Sequence, residues 1–179
     1  MVIGPQSIQS LNKFLDKNNL PKTSITEFDV NEKFDTLNHI KTHTSSKSAF
    51  ITIQEGCDKF CHFCVVPYTR GSEYSRTVKE ISDEVKSLID QGVVEFTLLG
   101  QNVNAYHGLD NQGQSNNLAS LINSISLIDG VERITYSTSH PVNMTDDLIS
   151  LHGENSKLMP FLHLPCLLYT SPSPRDNLP

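Results

Sequence analysis

The sequence predicts an α/β chain built from parallel β/α units, and three observations predict it. Short β-rich runs alternate with stretches whose apolar residues recur at helical spacing. The connections between them are short, the pattern of strands that run the same way with helices between them. The three loops richest in polar chemistry, at Cys57, Gly100 and Ser139, each follow a predicted strand. In folds of this kind the carboxyl ends of the strands carry the site.

Each element has its own signal. Residues 1–20 hold Ile8, Leu11, Phe14 and Leu15 at helical spacing. Residues 21–47 are polar, rich in Thr, Asn, Ser and Lys, and read as a linker with one short strand. His39 and His43 stand four apart there, but their Thr/Ser surroundings argue against a helix, so they read as solvated side chains. Residues 49–54, A-F-I-T-I-Q, alternate as a strand that delivers Glu55, Gly56 and a cysteine loop. Thr77 and Glu80 form a capping box opening a helix. Its apolar stripe is Val78, Ile81, Val85, Leu88 and Ile89, and Gly92 closes it.

Residues 93–99 form the next strand, ending in G-Q-N. Leu118, Leu121, Ile122 and Ile125 repeat the helical stripe over 118–128, and Gly130 stops it. Residues 133–137 make a third strand running into S-T-S-H-P. Thr145 is read as the cap of a helix over 146–152, and residues 159–164 as a fourth strand. Residues 166–179, C-L-L-Y-T-S-P-S-P-R-D-N-L-P, continue no pattern. They read as a foreign or flexible tail without packed structure, with Cys166 outside any ligand set.

Composition bounds the function classes. The chain has 179 residues, 37% hydrophobic and 19% charged, enough for one core domain plus extensions. No apolar run approaches the roughly twenty residues of a membrane span, and no charged-then-apolar leader opens the sequence. The expectation is a soluble cytoplasmic protein whose thiols stay reduced. The net charge of −6 does not favour phosphate contacts, so nucleic-acid binding would need a local basic patch or a surface outside this chain. Arg70, Arg76 and Lys79 are the candidates for a patch, with Lys79 read as an ordinary solvated charge and Glu73 read as the ion-pair partner of Arg76.

The most informative segment is G-C-D-K-F-C-H-F-C, residues 56–64, which sets Cys57, Cys61 and Cys64 in a C-x3-C-x2-C spacing. Thiolates are soft ligands and suit iron–sulfur clusters, zinc or copper(I). A closed zinc site wants four ligands, commonly two pairs, and the second pair is missing here. Ferredoxin spacings differ and complete the set with a fourth cysteine. Three thiolates can instead hold three corners of a cubic cluster and leave the fourth iron open to a small molecule. A zinc-binding or non-catalytic iron–sulfur module stays open as the alternative.

The spacing, with Phe63 before the last cysteine, resembles the signature of the radical S-adenosylmethionine superfamily. The flanking V-V-P-Y-T-R-G-S-E-Y-S-R (65–76) and L-L-G-Q-N-V-N-A-Y (98–106) are similar to the methylthiotransferases, above all the tRNA-modifying branch. The resemblance runs from about residue 48 to 165. It implies a partial parallel (β/α) barrel, here truncated to about four β/α units, with residues 1–20 the remnant of an amino-terminal methylthiotransferase domain. That domain carries three further cysteines for a second 4Fe–4S cluster, and those ligands are absent from this sequence.

By the same resemblance, Cys57, Cys61 and Cys64 ligate a 4Fe–4S cluster whose open iron chelates S-adenosylmethionine. One-electron cleavage of the sulfonium gives a radical that abstracts the C2 hydrogen of an N6-isopentenyladenosine beside the tRNA anticodon, and a methylthio group follows. Phe63 packs on the cofactor's adenine; Gln101, Asn102, Ser137, Ser139 and His140 are the further cofactor-binding candidates. For each of them the bland alternative is loop packing, turn formation or a structural hydrogen bond. The expected partners are tRNA and an electron donor such as flavodoxin or ferredoxin, with the protein a monomer and this chain inactive alone in the full reaction. A sister methylthiotransferase with another substrate is the remaining alternative.

Overall fold

The computed structural model describes residues 2–3, 24–25, 46–61 and 64–165. The readings of a helix within 1–20, of His39 and His43, of Phe63 and of the 166–179 tail lie outside those residues. Strands β1 (Val2–Ile3) and β2 (Ser24–Ile25) pair in parallel, so a short strand does fall in the segment read as linker.

The centre of the fold is a three-stranded parallel sheet of β3 (Ser48–Thr52), β6 (Glu95–Leu99) and β7 (Arg133–Tyr136), in that spatial order. Register runs from Ser48↔Glu95 to Thr52↔Leu99 and from Glu95↔Arg133 to Leu98↔Tyr136. Sequential strands are neighbours, each crossover is a helix, and all carboxyl ends share one edge.

Between β3 and β6 lie β4 (Gln54–Glu55), α1 (Val66–Arg70), β5 (Tyr74–Ser75) and α2 (Val78–Ile89). Helix α3 (Leu118–Ser126) connects β6 to β7, and α4 (Asp146–Glu154) follows β7. The expected capping box is present on α2: Thr77 Oγ1 accepts from the Glu80 amide, and the Glu80 carboxylate accepts from the Thr77 amide at 2.8 Å. The stripes read from sequence are the buried faces. Ile81, Val85 and Leu88 of α2, Leu121, Ile122 and Ile125 of α3 and Leu148 and Leu151 of α4 pack with Ile51, Phe96, Leu98, Ile134 and Tyr136 of the sheet into one core. Among its members, burial pushes the Tyr136 phenol up to about 12, and its hydroxyl meets His152 Nε2 at 2.6 Å.

Four expectations change. The strand read over 49–54 is two pieces: β3 ends at Thr52, and β4 turns to pair antiparallel with β5 through Gln54↔Ser75 and Glu55↔Tyr74. The pieces differ in direction because Ile53 still donates to Leu99 O on one side while Arg76 donates to Ile53 O on the other. The helix α1, directly after Cys64, is not signalled by periodicity. The fourth strand read over 159–164 does not form; contact with the sheet is limited to a parallel bridge at Ile134↔Leu158, and Phe161, Leu162 and Leu164 remain exposed. Past Met159 the segment keeps an isolated backbone bond, from the Ser139 amide to His163 O at 3.0 Å, and no regular ladder continues from the bridge. Thr145 has extended N-cap backbone but makes no side-chain cap, because its hydroxyl is spent on the Asp147 carboxylate.

Candidate functional site

The cysteine loop is an excursion whose two ends are tied together. It leaves β4 at Gly56 and returns through α1 to β5. The β4–β5 pair closes its neck, Cys57 N–H donates to Gly71 O at 3.1 Å, and Asp58 and Glu73 exchange backbone-to-carboxylate bonds at 3.3–3.5 Å. The Arg70 guanidinium reaches across to the buried Glu55 carboxylate at 3.0 Å. Gly56 has φ +77, and a Cβ there would collide with the backbone carbonyl of Ser72. Only glycine fits both the left-handed backbone and the close approach.

Within the loop, Cys64 N–H donates to Cys61 O at 2.9 Å. All three cysteines are free; Cys57 is buried, and Cys61 and Cys64 are half-buried. Burial pushes the Cys57 thiol up, a hydrogen bond with the Lys59 backbone pulls the other way, and the charges of Glu73, Cys64 and Cys61 add to the rise. Phe60 holds a left-handed backbone at φ +46, and its exposed ring stacks edge-on with that of Tyr68 at 5.7 Å. Neither of those aromatics was singled out by sequence reasoning.

The loop after β6 is stitched to the cysteine loop by two glutamines. Gln54, fully buried, accepts through Oε1 from the amides of Gln101 at 3.0 Å and Asn102 at 3.1 Å, and donates through Nε2 to Gly56 O at 2.8 Å. Gln101 Oε1 in turn accepts from Gly56 N–H at 2.7 Å. The Gln101 side chain is thus engaged by protein. Asn102 donates to Glu73 Oε1 at 3.0 Å and Asn143 Oδ1 at 3.2 Å, which leaves its buried Oδ1 without a partner.

The loop after β7 reaches the same place. Thr138 sits at φ +63, unusual for a β-branched residue, and turns the chain so that His140 faces the cysteine loop, with Nε2 at 3.7 Å from Cys61 Sγ. Ser139 is buried; its amide donates to His163 O and its hydroxyl has no partner. Ser137 continues the ladder by donating to Leu98 O at 3.2 Å.

The structure therefore brings together Cys57, Cys61, Gln101, Asn102 and His140, places Glu73 beside them, and adds Gln54, Glu55, Asn104 and Asn143, to which sequence reasoning gave no role. These partners lie 15 to 48 positions from the residues they hold, so only topology could have exposed them. The basic-patch reading of Arg76 is corrected: only 5% exposed, it holds Glu84 at 2.6 Å and Thr52 O at 2.9 Å, whereas Arg70 pairs with Glu55 and keeps 38% of its side chain exposed. The pairing expected between Glu73 and Arg76 is absent, because Glu73 is turned to Asn102 and Asp58. Lys79 pairs with Asp83 on the exposed side of α2, as an ordinary surface charge.

Among the described residues no three His, Cys, Asp or Glu side chains converge as on a single metal ion. A cubic cluster makes a different demand, since each thiolate caps its own iron. Three free thiols on a pinned loop suit that donor set, and the partnerless buried Asn102 Oδ1 and Ser139 Oγ suit a polar ligand. Among the described residues no helix is long and apolar enough to cross a membrane.

Comparison with known proteins places the sequence in a family. The family described as the Radical SAM superfamily matches residues 51–161. The chain is 52% identical over 167 residues to the tRNA-2-methylthio-N(6)-dimethylallyladenosine synthase of Pelagibacter ubique, covering 92% of this chain and 37% of that protein. It is 53% identical over 170 residues to the enzyme of the same name from Neorickettsia sennetsu, covering 92% and 36%, and 51% identical over 166 residues to that of Roseobacter denitrificans, covering 92% and 38%. The chain thus spans little more than a third of the length of these curated relatives.

Proposed function

From the premise that this chain belongs to the radical S-adenosylmethionine superfamily, we propose that it is the core of a tRNA methylthiotransferase, acting at C2 of an N6-isopentenyladenosine next to the anticodon. The supporting observation is the convergence of the three strand-end loops on free cysteines: Gln101 on Gly56, and His140 on Cys61. The named activity of relatives about half identical supports the substrate class.

In this reading Cys57, Cys61 and Cys64 hold a 4Fe–4S cluster and leave one iron for S-adenosylmethionine. When bound, that pair supplies one-electron cleavage of a sulfonium and hence hydrogen abstraction from an unreactive carbon. The chain's own residues position and shield. Gln54 and Gln101 fix the root of the cysteine loop against the β6 loop, so the sulfurs keep their relative places. Asn102 Oδ1, an acceptor, and Ser139 Oγ, which can donate or accept, are held ready without a protein partner, and we assign them to polar groups of the cofactor. Phe63, which lies outside the described residues, is assigned to the cofactor's adenine on the family resemblance alone. Ser137 is assigned to the cofactor more distantly, through the loop it starts. Barrel closure by further β/α units, a second cluster, a flavodoxin- or ferredoxin-type electron donor, a monomeric state and a cytoplasmic location belong to the same proposal for the whole protein.

The test is anaerobic reconstitution of the chain with iron and sulfide. The expected product is brown and holds about four irons per chain, with each Cys→Ser substitution at Cys57, Cys61 or Cys64 abolishing stable loading. A colourless protein holding one zinc contradicts the proposal.

A further inference from the structure

We infer that His140 donates its Nε2–H to the sulfur of Cys61 and thereby tunes the redox poise of the cluster held by the loop. The inference rests on the iron–sulfur reading of that loop, and it gives His140 a role as a positioning residue acting through a ligand instead of touching the cosubstrate.

Three observations carry it. His140 Nε2 lies 3.7 Å from Cys61 Sγ, a hydrogen-bonding separation for sulfur. The ring's other nitrogen, Nδ1, accepts from the Val142 amide at 3.2 Å. A ring nitrogen that accepts carries no proton, so in the neutral imidazole the proton sits on Nε2, facing the sulfur. The backbone of His140 is then fixed on both sides by one buried side chain: His140 N–H donates to Asn104 Oδ1 at 2.8 Å, and Asn104 Nδ2 donates to His140 O at 2.8 Å. Capping of the short turn Pro141–Asn143 explains Nδ1 alone. It does not explain a strained Thr138 and a doubly held backbone that deliver Nε2 to a thiol.

A hydrogen bond to a ligating sulfur stabilises the more negative, reduced cluster more than the oxidised one, so it raises the reduction potential. Removing it should lower the reduced-to-oxidised ratio at a fixed ambient potential about tenfold, or ~59 mV for a one-electron couple.

Two substitutions separate this from a structural cap. His140→Gln places an amide N–H near the Nε2 position and forfeits the cap; His140→Asn offers an acceptor near Nδ1 and forfeits the donor. Potentiometric titration with dithionite, read by electron paramagnetic resonance on the reconstituted full chain, should show the shift in His140→Asn and a near-parental ratio in His140→Gln. In the metal-free chain, nitrogen resonances of the His140 ring should report the Nε2–H tautomer and move on Cys61→Ala. Equal ratios in parent and His140→Asn, or ring resonances indifferent to Cys61→Ala, overturn the inference. Failure of the unsubstituted chain to take up any cluster refutes the iron–sulfur reading and the tuning with it, while the ring resonances still decide the contact.

Discussion

Gln54→Leu isolates the stitch between the two site loops. The substitution nearly conserves volume and removes a side chain that is fully buried and makes four bonds: two accepted from the Gln101 and Asn102 amides at 3.0 and 3.1 Å, and two donated, to Gly56 O at 2.8 Å and more weakly to Glu55 O at 3.3 Å. Leucine leaves two N–H groups and two carbonyls without those partners. Each buried orphan costs about 1–3 kcal/mol. Leucine's own burial returns some of this, so the net loss is on the order of 3 kcal/mol. Against a total stability of roughly 5–15 kcal/mol that is a large fraction. Urea unfolding of the metal-free chain, followed by far-ultraviolet circular dichroism, measures it, with Lys79→Ala as the surface control. A loss below about 1 kcal/mol for Gln54→Leu would show that the two loops are held by something other than this side chain.

Three further outcomes can be checked with the same measurement. Gly56→Ala should cost more than the roughly 1 kcal/mol of a left-handed non-glycine residue alone, because its Cβ also meets the Ser72 carbonyl; a variant of parental stability contradicts the packing at the loop's neck. Thr77→Ala should cost about 0.5–2 kcal/mol by deleting one half of the capping box, and Thr77→Asp should recover most of it. The Asp147 carboxyl is held below its usual range, first by the Thr145 hydroxyl and then by Asn117. Because its folded value is depressed, its contribution is complete above the ordinary carboxylate value of about 3.9 and fades as pH falls below that. The parent should therefore lose stability from about pH 4 downward more steeply than Asp147→Asn, and superimposable acid limbs would refute the assignment.

What could be read in advance follows from the range of the interactions. The stripes of α2 and α3 and the Thr77–Glu80 box are local, set within one to four residues, and they form as read. β6 and β7 are short apolar runs bounded by turn residues, and their parallel pairing follows from the helices between them. The two-residue strands β4 and β5 are too short to show any period, and the V-P-Y-T-R run of α1 has no amphipathic pattern to announce a helix. Residues 159–164 have a strand's composition but lack a neighbour to extend the single bridge at Leu158. Composition states what a segment prefers; pairing decides whether it gets it.

The same division runs through the site. The cysteine spacing and the polar ends of β6 and β7 are visible because chemistry-bearing residues are themselves rare in sequence. Their supports are not: Gln54 reads as the last residue of a strand, and neither Glu55 nor Asn104 carries a local signal of its role. Glu55 is in fact 1% exposed beneath Arg70, and Arg76, read as a surface cation, is buried. Long-range polar pairs carry no local signature, so a sequence reads their members as solvated.

The central claim is that three thiolates hold an iron cube and leave one corner for the cosubstrate. Mössbauer spectra of the chain loaded with enriched iron, with and without S-adenosylmethionine, test it most directly. The account predicts one iron distinct from the other three, and a change confined to that iron when the cosubstrate is added. Four equivalent irons that ignore the cosubstrate would contradict it.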